Sequence, residues 1–117
     1  MHNFKELKVW KAGMEIAKTI FVMTRTFPTE EKFGLISQMT RCAVSIPSNI
    51  AEGCGRKSNK ELHQFLNIAL GSAFELETQI IISRDFNYIT AEKSEDISGA
   101  IIEIQKMISG LQKSLNT

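Results

Sequence analysis

Proline occurs twice and glycine seven times in 117 residues, and runs of Val, Ile and Thr with two-residue alternation are missing. Hairpin chemistry therefore has little to work with, and strands are not expected. Charge-free stretches such as Cys42 to Ala51 and Phe65 to Phe74 are ten residues each, about half of what spans a bilayer. No transmembrane helix is predicted, and no membrane partner. The opening Met1-His2-Asn3-Phe4-Lys5-Glu6 places charges where a signal peptide needs an apolar run, so a cytoplasmic location is expected. Cysteine is limited to Cys42 and Cys54. Twelve residues apart on one helix they are separated by about 18 Å of rise, too far for an internal disulfide, and free thiols fit a reducing compartment.

The residues that chemistry needs are also scarce. His2 and His63 fall in different elements without Cys, Asp or Glu at ligand spacing, so neither a metal nor a cofactor is expected. Gly53-Cys54-Gly55-Arg56 follows a predicted helix rather than the strand that a phosphate loop requires and reads as a helix stop. Cys54 as a nucleophile would need a base. His63 is the reachable candidate, without an evident orienting group, and a small residue in a tight turn is the plainer reading. Glu75 and Glu77 point about 200° apart on a helix and cannot share a substrate. An enzyme is not predicted.

Hydrophobic residues make up 43% and charged residues 23%, the usage of a chain that folds rather than one that stays disordered. The length suits a single domain over residues 1–117. A first helix is predicted over Glu6 to Thr26, with Val9, Gly13, Ile16, Ile20, Met23 and Phe27 on one side. Trp10, Met14, Ala17 and Phe21 widen that stripe to nearly half the circumference. One core does not need so much, and a homo-oligomer would cover the surplus.

A second helix is predicted from Thr29–Glu31 toward Gly53, kinked near Ala43 to Pro47 because an internal proline removes a backbone bond. Ser58-Asn59-Lys60-Glu61 is a capping box, with Glu61 reaching back, and opens a third helix that runs to about Phe86. Thr90 is the expected next cap. The fourth helix carries Ile97, Ile101, Ile104, Ile108, Leu111 and Leu115 at alternating spacings of four and three, a bundle seam. Short connections make sequential helices neighbours. The fold class predicted is all-α, an antiparallel up-down four-helix bundle with a kinked second helix.

Two polar features remain. Residues 1–60 carry ten Lys/Arg against five Asp/Glu, and residues 61–117 four against eight. In the basic half Lys8, Lys11, Lys18 and Arg25 recur on the side of the first helix away from its apolar stripe, and Arg41 and Arg56 lie in and beyond the second. Arg41, Ser45, Ser48, Asn49 and Glu52 form one strip on the second helix. That strip has a structural reading, satisfying backbone groups that Pro47 frees, and a functional one, lining a channel or meeting an anionic partner through Arg41 and Arg56.

The run Leu35-x-x-Gln38-x-x-Arg41-x-x-x-Ser45-Ile46-Pro47-Ser48-Asn49-Ile50-Ala51-Glu52-Gly53-x-Gly55-Arg56, followed by Phe65-Leu66-x-Ile68-Ala69-x-Gly71-Ser72-x-x-Glu75-Leu76-Glu77-Thr78-Gln79, resembles the four-helix-bundle proteins of the 23S ribosomal RNA intervening-sequence family. Phe4-x-x-Leu7-x-Val9-Trp10 and Phe27-Pro28-x-Glu30 fit the same pattern. The resemblance implies a cytoplasmic bacterial bundle assembling as a homopentamer. A related branch is the accessory variability determinant of diversity-generating retroelements, a basic pentameric barrel that binds nucleic acid and a reverse transcriptase. Together with the basic N-terminal half, the resemblance leads us to expect a non-enzymatic oligomer with weak, sequence-independent RNA or DNA binding through Lys8, Lys11, Lys18, Arg25, Arg41 and Arg56. The alternative is a structural or protein-docking module that binds no nucleic acid.

Overall fold

The computed structural model describes residues 3–115, and among them every regular element is helical. Four α-helices account for most of the chain: α1 (Lys8–Met23), α2 (Leu35–Cys54), α3 (Asn59–Asp85) and α4 (Ala91–Ser114). Short 3-10 turns at Phe4–Glu6 and Thr24–Thr26 flank α1, and another at Thr29–Glu31 precedes α2. The first two helices are thus shorter than apolar spacing suggests. At the end of α1 the Thr24 hydroxyl donates to the Ile20 carbonyl at 2.9 Å, and the chain tightens before Pro28. Residues 29–31 make a separate turn, so α2 begins at Leu35.

The caps explain where α3 and α4 start. Ser58 Oγ accepts from the Glu61 amide at 3.1 Å, and Thr90 Oγ1 accepts from the Lys93 amide at 3.1 Å, each satisfying a backbone donor that a helix start leaves open. The return half of the capping box differs from expectation. Glu61 accepts from the Ser58 hydroxyl at 3.2 Å instead of reaching its backbone. Between α3 and α4, Asn87 takes φ 62°, a left-handed conformation that asparagine tolerates well.

Packing follows the apolar stripes. Val9, Gly13, Ile16, Ile20, Met23 and Phe27 are all buried, as are Ile97, Ile101, Ile104, Ile108 and Leu115, with Leu111 half-buried. Each fully buried isoleucine contributes roughly 1.5–3 kcal/mol relative to exposure. α1 packs on α2, α2 on α3 and α3 on α4, and α1 meets α4 over a less extensive seam. Gly13 sits where three helices converge. A Cβ there would lie 3.4 Å from each of Ile46 Cγ2, Pro47 Cβ and Ile104 Cδ1.

α2 continues as helix through Pro47, which is buried in that junction. Its C-terminal glycines act differently from a simple stop signal. Gly55 keeps a right-handed conformation (φ −83°), whereas Gly53 is needed for room. A Cβ at Gly53 would come within 2.8 Å of Leu62 Cδ1 and 2.9 Å of Phe65 Cβ, so the α2–α3 approach depends on its absence. At another corner Tyr88 OH donates to Glu31 at 2.9 Å and its ring lies 5.3 Å from that of Phe27, tying the α1–α2 connection to the α3–α4 connection.

Among the described residues α3 is long and apolar enough to cross a membrane by length and composition alone, with a mean hydropathy of 1.3 over its most apolar window. Short charge-free runs had argued against such a segment. The difference arises because Glu75 and Glu77 are the only Asp, Glu, Lys or Arg between residues 62 and 83. Leu62, Leu66, Ala69, Ala73, Leu76 and Ile80 of this helix are fully buried and form its stripe toward the core, while 33% of the apolar window as a whole is buried.

Candidate nucleic-acid and assembly surfaces

α1 holds Lys8, Lys11 and Lys18 on its exposed side, because the opposite stripe is committed to the core. At 100° per residue Glu15 falls on the same face, and its carboxylate lies 3.5 Å from Lys18 Nζ. Such an exposed pair is worth little in stability, but it dilutes the cationic face where sequence spacing suggested an unbroken row. Arg25 is exposed and lies in the 3-10 turn beyond α1, outside that helix's register. Lys8 and Lys11 therefore make the clearest cationic step.

Arg41 is exposed on α2 and, among the described residues, has no carboxylate within ion-pair distance. Arg56 is engaged twice. Its Nη2 is 2.8 Å from Glu52 Oε2, and its guanidinium lies 4.7 Å from the centroid of the Phe65 ring, a cation–π contact. The neighbouring Lys57 and Lys60 are exposed. Sequence reasoning passed over both, although their adjacency to Arg56 in the α2–α3 connection was a readable signal.

The polar strip of α2 is drawn together in part, and it faces α3. Ser45 Oγ and Ser72 Oγ are 2.9 Å apart, and Asn49 Nδ2 donates to the Ser45 carbonyl at 2.8 Å and to Ser45 Oγ at 2.9 Å. Asn49 thus serves Ser45 and not Ala43, whose carbonyl a residue-47 amide would otherwise reach. Ser48, Arg41 and Glu52 are exposed. Gln79, on the same helix as Ser72, is buried with its Oε1 unpartnered. The motif residues Ser45, Asn49 and Ser72 thus form an interhelical clasp rather than an open channel wall.

Neither thiol is activated. Cys42 Sγ donates to the Ser72 carbonyl at 3.0 Å and lies 3.6 Å from Glu75 Oε1. Burial, followed by the Glu75 charge and hydrogen bond, pushes its pKa up to about 12. Burial also raises Cys54 above the ordinary thiol range. His63 is exposed, and its carbonyl accepts from Gln112 Nε2 at 3.3 Å. His2 lies outside the described residues. Among those described, no group of three or more His, Cys, Asp or Glu side chains is gathered as a metal ion requires. Glu77 accepts from Gln105 at 2.8 Å while Glu75 faces Cys42, so the two carboxylates serve different seams.

Apolar side chains left outside are the larger surface feature. Phe21 and Val22 on α1, Val44 on α2, Ile68, Phe74, Ile81 and Ile82 on α3, Ile102 on α4, and Phe33 and Phe86 in the connections are all exposed. Trp10 is not among them. The chain covers it with its own Phe4, whose ring stands 5.3 Å away edge to face, and with Met14 half-buried and Ala17 buried the surplus arc on α1 reduces to Phe21.

A family model described as 23S rRNA-intervening sequence protein matches residues 5–110. Among solved structures, a protein of unknown function from the S23 ribosomal protein family of Bacteroides thetaiotaomicron VPI-5482 is 31% identical, with a TM-score of 0.83 over 90% of this chain and 98% of that one. No curated protein matches.

Proposed function

The chain belongs to the 23S rRNA-intervening sequence protein family, and from that premise we propose a non-enzymatic, self-associating bundle that holds RNA or DNA weakly as part of an assembly. The observation that carries this reading is the exposed apolar surface. A bundle whose interior is already closed still presents Phe21, Val22, Phe33, Ile68, Phe74 and Phe86 to solvent, and association would cover those of them that share a face. The four helices are read as an antiparallel up-down bundle bent at Pro47, repeated as a homopentamer. The raised pKa values of Cys42 and Cys54 support a non-catalytic role. A cytoplasmic location and a partner protein such as a reverse transcriptase belong to the same proposal.

Nucleic acid is held through phosphates, which carry affinity but little sequence information. Lys8 and Lys11 are the principal contacts, with Lys18, Arg25, Arg41 and Arg56 adding to the field. A ring multiplies this modest charge into avidity. The protein-docking alternative, without nucleic acid, is favoured by a specific observation: Lys18 and Arg56 each sit within ion-pair distance of a carboxylate.

Fluorescence anisotropy of labelled duplex DNA and single-stranded RNA separates the two. The wild type is expected to bind at about 50 mM salt, with a log-log slope on duplex DNA of roughly 0.9 per phosphate contacted. Lys8→Glu/Lys11→Glu, with its oligomer mass preserved, should bind more weakly and with a flatter slope. A wild type that does not bind leaves the docking module, and a variant that binds as the wild type does overturns Lys8 and Lys11 as the principal contacts.

A further inference from the structure

Among the described residues Phe33 is the most exposed large apolar side chain, 90% open to solvent, and it stands just before α2 in the segment Glu30-Glu31-Lys32-Phe33. The Lys32 ammonium lies 5.5 Å from its ring centroid. Elsewhere on the same molecule, between α1 and α4, a groove of about 560 Å³ opens. Val22, Met23 and Ile97 form its apolar floor, and Lys18, Lys93 and Asp96 its charged rim. Val22 is 58% exposed while Met23 and Ile97 are buried, 8% and 5% exposed, so Val22 is the open part of the floor.

We propose that the α1–α4 groove is the seat for Phe33 of a second copy of the chain. The groove, at about 560 Å³, is a slot with room for a phenyl ring as knob, and the charges match in sign. Glu30 beside the ring meets Lys18 or Lys93 on the rim, and Lys32 meets Asp96. The Lys18–Glu15 pair does not stand in the way, because an exposed pair exchanges partners at little cost.

Knob and slot are different patches of one surface, so the contact is heterologous and each copy is left with a free Phe33 on one side and a free groove on the other. Both features also lie toward the same end of the bundle. The segment holding Phe33 is tied to Tyr88 through Glu31 and Phe27, and α4 starts three residues after Tyr88. A knob and slot at similar height favour rotation with little rise, which closes into a ring instead of growing into a filament. This inference rests on the self-association reading and specifies the contact that makes it.

The test is light scattering of the full chain at micromolar concentration for wild type, Phe33→Ala, Phe33→Lys and Val22→Glu, with circular dichroism to verify unchanged helicity at these exposed positions. Wild type is expected as a closed oligomer, and each variant as a species near 13.2 kDa whose association is weakened at least tenfold. An equimolar mixture of Phe33→Ala and Val22→Glu is expected to form a dimer and stop there. The first retains an intact groove and the second an intact Phe33, so one contact forms and none remains to extend it. An oligomeric wild type whose Phe33 variants keep their mass overturns this contact and leaves self-association standing. A mixture that stays monomeric, or that regains the full assembly, also overturns it. A monomeric wild type overturns both.

Discussion

Replacing Gly53 with alanine should destabilise the bundle, and replacing Gly99 with alanine should stabilise it. A Cβ at Gly53 would sit 2.8 Å from Leu62 Cδ1 and 2.9 Å from Phe65 Cβ, against an optimal carbon–carbon separation of about 3.5–4.0 Å. Leu62 can turn its terminal methyl, but Phe65 Cβ is fixed to the α3 backbone. Relief thus requires α2 and α3 to part near the Gly53–Phe65 contact, where the Arg56–Phe65 stack would loosen too. Overpacking of this kind costs about 1–3 kcal/mol, offset by about 0.5–1 kcal/mol because alanine is the better helix former. The net expectation is a loss of roughly 0.5–2 kcal/mol. At Gly99, exposed in the middle of α4, a Cβ meets nothing within 4 Å, so only the gain of about 0.5–1 kcal/mol remains. Urea unfolding followed by circular dichroism, at one fixed protein concentration because association is linked to stability, reads both. A Gly53→Ala protein as stable as wild type, or a Gly99→Ala protein less stable, would refute the packing argument.

Ile104→Ala, at a fully buried position on the α4 seam, should cost about 2–5 kcal/mol, while Lys106→Ala on the exposed side should stay within about 0.5 kcal/mol; denaturant midpoints decide both. Cys42 holds its proton more tightly folded than unfolded, so its contribution to stability is fully present below pH 9.0 and is lost as pH rises toward about 12. Unfolding midpoints measured across that window should fall less steeply for Cys42→Ala than for wild type. Iodoacetamide at pH 8 should label both cysteines slowly in the native protein and rapidly in urea, and fast native labelling of Cys42 would contradict its placement.

Apolar spacing revealed the stripe of α1 and the seam of α4 because each serves a single core, and one helix face is a local property of sequence. Ser58 and Thr90 were legible as caps for the same reason: their partners lie three residues away. Features that depend on distant residues were not legible. The need for glycine at position 53 comes from Leu62 and Phe65 on another helix, and Gly55, read as part of the stop, has ordinary right-handed geometry. The polar strip looked like a surface from α2 alone. Ser72, twenty-seven residues beyond Ser45, turns part of it into a clasp. For the cationic face, seven-residue spacing picked out Lys11 and Lys18 but ignored Glu15 between them, although its i,i+3 relation to Lys18 could have been counted. Trp10 was assigned to an uncovered arc because Phe4 folds back only through the turn before α1.

Self-association underlies both the avidity argument and the seat assigned to Phe33, so the molar mass of the wild-type chain in solution is the most direct test. Size-exclusion chromatography with multi-angle light scattering at micromolar concentration and moderate salt should return a single species near five times the 13.2 kDa of one chain. A monodisperse peak at 13.2 kDa would contradict the account and leave the exposed Phe33, Phe74 and Phe86 without a partner in this protein.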